Sequence, residues 1–76
     1  MKITIQTISG TTRVLEVETT QTIREIKEKL YMCEGITPEQ QRIMHHGIIC
    51  HDTETIESSG IEDGGVLHMV LTLRGG

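Results

Sequence analysis

The chain has 76 residues and a formal net charge of −4, with seven Lys and Arg residues scattered along its length. A chain this short is one domain, and its sparse basic residues form no stripe for nucleic acid or an anionic membrane. There is no Trp or Phe and one Tyr, so Ile, Val, Leu and Met must build the core of a domain that buries only roughly 60% of its unfolded surface.

In chain order, "MKITIQT" reads as a first strand. Met1, Ile3 and Ile5 face one way and Lys2, Thr4 and Gln6 the other, at period two. Gly10 suits a positive φ in the turn that follows. "TRVLEVE" then returns as a second strand, with Arg13 on the same face as Leu15 and Val17, its stem expected to snorkel to the edge. A helix follows. Thr22 is its N-cap, Thr22 and Glu25 have capping-box spacing, and Ile23, Ile26 and Leu30 form the apolar stripe. Gly35 ends it as a left-handed residue, and Thr37-Pro38 starts a short helical turn.

"QQRIMHH" and "IIC" read as short strands around Gly47, "ESSGIEDGG" as a loop with positive φ at Gly60 and Gly64, and "VLHMVLTL" as the last strand. The order strand, strand, helix, strand, short strand, strand makes an α+β domain, a mixed sheet curled around one helix. With a single helix, one sheet face stays wet. In the last strand Leu67, Met69 and Leu71 share one apolar face, and Val66, His68 and Val70 share the other. His68 and Val70 are expected to be exposed, together with Met44, which is out of phase with Ile43. An apolar patch on a small domain is a candidate interface.

The chemistry-bearing residues are few. Cys33 and Cys50 make no CxxC pair. The favoured reading places Cys50 in the core and Cys33 on the surface in a reducing compartment, cytoplasm or nucleus; a disulfide or metal pair is the alternative. No signal-peptide pattern or membrane-length apolar run is present, so no membrane partner is expected. His45, His46, His51 and His68 raise the question of a metal. Neighbours on a strand face opposite ways, so His45 and His46 are not expected to share one, and no metal or other cofactor is expected. Scattered acids and a Cys33 without a base leave no catalytic residue and no expected enzymatic activity.

Four stretches carry a resemblance: "LEVE" at 15–18, "EGI" at 34–36, "QQR" at 40–42 and "LRGG" at 73–76. In register over the whole length, the chain resembles the ubiquitin family, both ubiquitin and the Rub-type (neddylation) modifiers. The resemblance implies a β-grasp domain over residues 1–72 and a conjugation tail over 73–76. It implies a protein modifier whose Gly75-Gly76 terminus threads narrow channels. An ATP-dependent activating enzyme would adenylate the Gly76 carboxylate and take it as a thioester. A conjugating enzyme and ligase would pass it to a target lysine as an isopeptide bond, and a deconjugating protease would cut it again. Cullins are the implied targets of a Rub-type modifier, and a monomer is implied.

Position by position, the resemblance puts the hydrophobic patch on Ile8, Met44, His68 and Val70. Ile48 either extends it, the favoured reading, or belongs to the core. A second patch falls on Ile8, Ile36, Leu71 and Leu73. Arg42, Thr72, Leu73 and Arg74 fall on the surface read by the activating enzyme, and Lys27 and Asp52 on a buried-lysine pair. Thr72 replaces the arginine of ubiquitin and is Rub-like. Ser59 replaces a loop-bracing tyrosine, so a looser loop is expected. Gln6, Thr11, Cys33, Ile48 and Asp63 replace family lysines, which leaves Lys29 and then Lys2 as candidate chain acceptors, and a single tag rather than chains as the expected product. A non-conjugated interaction module and a sulfur carrier with a terminal thiocarboxylate are the other two readings of the same chain.

Overall fold

The computed structural model describes residues 1–72; the expected conjugation tail, Leu73 to Gly76, lies outside them. Five strands, β1 (Lys2–Thr7), β2 (Thr12–Glu16), β3 (Gln41–His45), β4 (Ile48–Cys50) and β5 (Val66–Leu71), form one sheet. A single α-helix, α1 (Ile23–Glu34), and a 3-10 turn at Pro38–Gln40 complete the elements. The strand order is β2-β1-β5-β3-β4. β1 and β5 run parallel at the centre, and the outer pairs are antiparallel. This is a mixed sheet on one helix, the β-grasp arrangement.

Local chemistry explains the elements. Both halves of the capping box form at α1: the Thr22 hydroxyl accepts from the Glu25 N–H, and the Glu25 carboxylate accepts from the Thr22 N–H at 3.1 Å. Gly35 takes φ 74°, a left-handed cap that lets its N–H reach the Tyr31 carbonyl. The β3–β4 turn needs two consecutive residues with positive φ, supplied by His46 (54°) and Gly47 (78°). That is the primed turn whose twist matches a two-residue hairpin.

One face of the sheet and the stripe of α1 enclose the core. Ile3, Ile5, Ile23, Ile26, Leu30, Ile43, Ile56, Leu67 and Met69 are all fully buried. Isoleucine predominates because, without large aromatic rings, compact branched chains must fill the space between sheet and helix. Cys50 joins this core and Cys33 lies exposed, both thiols free.

The second patch expects Leu71 on the surface, and the Ser59 replacement expects a looser loop. Leu71 does not continue the buried row of Leu67 and Met69 but is 40% exposed. It closes the strand opposite Gln41, which is itself buried. The loop around Ser59 is not left unbraced. The Ser59 N–H donates to the Thr55 carbonyl at 3.0 Å, and its hydroxyl donates to Glu54 at 3.2 Å. Arg13 behaves as its position suggests: it pairs with Glu34 at the end of α1, at the margin of the core.

Candidate interaction surface

Strand alternation sends Arg42 and Met44 of β3, and Val66, His68 and Val70 of β5, to the face opposite α1. Register turns this into a surface, because Arg42 lies beside Val70 and Met44 beside His68, with Gln6 on the far side of His68. Ile8, 58% exposed, sits in the turn after β1. Met44, His68 and Val70 therefore share one uncovered face of the sheet. Its two central members, Met44 and Val70, are half-buried rather than fully exposed, because neighbouring strands cover their flanks.

Ile48 is 71% exposed, so it is not core. It pairs with His45, whereas Ile49 pairs with Met44. Since successive side chains point to opposite faces, Ile49 is the isoleucine that extends the Met44 row, and Ile48 projects on the His45 side. The turn length decides this: two residues between His45 and Ile48 set the register, and a one-residue slip would exchange the two isoleucines. Of the second patch, Ile36 packs partly against the core and Leu71 is exposed; Leu73 lies outside the described residues.

Beside Arg42 the sheet opens into a polar cleft of about 300 Å3 that Arg42 and Thr72 both line, together with Gln41, Asp52 and Lys27. Two residues assigned to the same recognition surface thus meet at one cleft, and the Thr72 N–H donates to the Gln40 carbonyl at 2.8 Å. Gln41 is buried and donates to the Lys27 and Ile36 carbonyls, at 2.9 and 2.8 Å, while its Oε1 is buried without a hydrogen-bond partner. No sequence pattern marks this glutamine. Only the packing reveals that it ties α1 to the β3 entry.

Lys27 is buried and hydrogen-bonded to Asp52, the pair that the resemblance implies. Burial pushes the Asp52 carboxyl up, but the hydrogen bond and charge of Lys27, joined by Arg24, outweigh it and hold the group below the usual aspartate range. Arg24 also bonds Glu39 at 2.9 Å, so one guanidinium gathers carboxylates from three segments.

The histidine geometry departs from expectation. His46 is not on a strand, and its left-handed backbone brings its ring edge-to-face onto His45, with centroids 4.1 Å apart. Among the described residues no three His, Cys, Asp or Glu side chains converge as a metal site. Burial, and then the neighbouring His46, push the His45 imidazole below the usual histidine range.

The candidate acceptor amines separate sharply. Lys29 donates to the Glu16 carbonyl at 2.9 Å. The amino group of Met1 donates to the Val17 carbonyl at 2.9 Å and pairs with Glu16 at 3.1 Å. Lys2 is exposed, and its Nζ makes no hydrogen bond or ion pair among the described residues.

The fold is a β-grasp domain whose sheet leaves one face, carrying Met44, His68 and Val70, uncovered by the helix. Residues 3–74 match the model of the ubiquitin family, and the chain belongs to that family. It is 42% identical over 76 residues to the NEDD8-like protein RUB3 of Arabidopsis thaliana, spanning 100% of this chain and 97% of that protein. It is 40% identical to ubiquitin-like protein 1 of Schizosaccharomyces pombe, with the same coverage. Identity is also 40% to the ubiquitin-like protein NEDD8 of Dictyostelium discoideum, over 100% of this chain and 99% of that one.

Proposed function

We propose that this protein is a Rub-type modifier, activated at Gly76 and joined by an isopeptide bond to lysines of target proteins. The carrying observation is the end-to-end similarity to proteins named NEDD8 and RUB, combined with the Leu73-Arg74-Gly75-Gly76 sequence. The Gly76 carbonyl is the electrophile, and glycines at 75 and 76 offer no side chain to obstruct a narrow channel. The chain carries the bond and leaves the catalysis to its enzymes: an ATP-dependent activating enzyme, a conjugating enzyme, a ligase and a deconjugating protease. Cullin-type lysines in the cytoplasm and nucleus are the targets this reading names.

Thr72 favours the Rub branch. It presents no positive charge to an acidic recognition site, and one missing charge-assisted hydrogen bond costs about 1.5–3 kcal/mol. The experiment is a charging assay with ubiquitin-type and Rub-type activating enzymes in competition. Wild type is expected on the Rub-type enzyme, Thr72→Arg is expected to shift toward the ubiquitin-type enzyme, and deletion of Gly75 and Gly76 is expected to abolish charging. Failure to charge either enzyme would leave the patch as that of a non-conjugated interaction module. A thiocarboxylate found at Gly76 by mass would make the chain a sulfur carrier.

A further inference from the structure

We propose that Lys2 is the acceptor wherever one copy of this chain is joined to another, alongside the single-tag product. This rests on the modifier reading above. It adds a modification site to the domain itself: a lysine Nζ that takes an acyl group from a thioester-bound copy.

Geometry sets the other amines of the chain apart from Lys2. The chain has three lysines, Lys2, Lys27 and Lys29, and the amino group of Met1. Lys27 is buried against Asp52 and would have to break its ion pair and leave the core to react. Lys29 is engaged with the Glu16 carbonyl, and the Met1 amine is held by both Val17 and Glu16. Lys2 alone is exposed with its Nζ unengaged among the described residues.

Why Lys2 stays unengaged is also visible. The two acids that border Lys2 in the fold each hold another donor. Glu16 lies directly opposite Lys2 across β1–β2, but its carboxylate pairs with the Met1 amine. Asp63 accepts the backbone N–H of Lys2 at 2.8 Å, while the Lys2 carbonyl accepts from Gly64 at 2.7 Å. The backbone at Lys2 is therefore fixed on both sides and its side chain is left out. An amine with no contact to break, carried on a backbone that is fixed, needs no rearrangement of the domain to enter a thioester site.

The step balances simply. The neutral Nζ adds to the thioester carbonyl of the donor's Gly76, the C–S bond breaks, and the thiolate leaves with the electron pair. The nitrogen's surplus proton passes to solvent or a base of the conjugating enzyme. Lys2 lies on the outer sheet face at the start of β1, and Ile8 follows its end, about 20 Å away at the rise of a strand. A copy joined at Lys2 therefore attaches at the opposite end of β1 from Ile8.

Acceptor mapping with the full chain, ATP, and activating and conjugating enzymes tests this. Thioester on the conjugating enzyme is read first; it needs no acceptor lysine, so its absence counts against the modifier reading alone. Once thioester forms, Lys2→Arg is expected to remove nearly all modifier–modifier product and Lys29→Arg to leave most of it. Product that persists in Lys2→Arg, or Gly-Gly remnants mapped to Lys27, Lys29 or Met1, overturns the assignment. Where no such product or thioester forms, enzyme-free labelling decides. With limiting acetyl N-hydroxysuccinimide ester, Lys2 is expected to react several-fold faster than Lys29, and about a hundredfold faster than Lys27, whose burial and ion pair must be undone. Equal or reversed rates overturn the assignment.

Discussion

The two faces of β5 make the most instructive comparison in this molecule. Leu67 and Met69 point toward α1 and are fully buried; Val66 and His68, one residue away, are exposed, and Val70 is half-buried. The strand is almost uniformly apolar, so composition does not distinguish its sides. What distinguishes them is that α1 covers only one. Inward residues are therefore held by stability and outward ones are available for recognition, within the same six-residue segment.

Substitutions should separate these roles. Met69→Ala, on the covered face, leaves a cavity between sheet and helix and is expected to destabilise the domain by about 2–5 kcal/mol. Urea denaturation measures this. A loss well under 1 kcal/mol would mean that the covered face is not a packed core.

Lys27→Met probes the polar margin of that covered side. It removes the cation but leaves Asp52 carrying a charge against Arg24. The expected loss is about 2–4 kcal/mol, toward the lower end for a pair broken by removing one partner because Asp52 retains solvent access. The loss should also shrink as pH falls from the usual aspartate value down through the lower folded one, since the Asp52 carboxyl is held low only in the folded state. Melting curves at neutral and acidic pH measure both effects.

Val70→Ala acts on the open face. It should weaken patch-dependent receptor binding by about 1–2 kcal/mol while leaving most of the stability in place. A titration of receptor onto both proteins, alongside their melting curves, would break the comparison between faces if stability fell and binding did not.

The smallest effect belongs to His45. Its imidazole is held below the usual range in the folded state, so the unfolded chain binds the extra proton first. Stability from this group is complete above pH of about 6.5 and is lost as pH falls through the lower folded value. Wild type is expected to lose stability between roughly pH 7 and 5, and His45→Phe to flatten that slope. The carboxylate contribution belongs to more acidic conditions and should remain in the variant.

Much of the element pattern could be read in one dimension because its causes are local. Period-two alternation set β1, the Thr22–Glu25 box started α1, and Gly35 stopped it, each through contacts within a few residues. The patch members Met44, His68 and Val70 followed from the same alternation once a single helix was counted. The Lys27–Asp52 pair is implied by the family resemblance alone, since 25 residues separate them and no local rule joins them.

Tertiary structure decided what depends on register and long-range partners. Ile49 rather than Ile48 joins the Met44 row because a two-residue turn with left-handed His46 and Gly47 sets the hairpin register. Leu71 is exposed although its β3 partner Gln41 is buried, a difference that hydropathy does not anticipate. The amines of Lys2 and Lys29 look equivalent as letters. They differ because the Glu16 carbonyl lies within 2.9 Å of one Nζ, while the acids near the other are occupied by the Met1 amine and a backbone N–H. A side chain's availability is set by which neighbours the fold has already committed, and that information exists only in three dimensions.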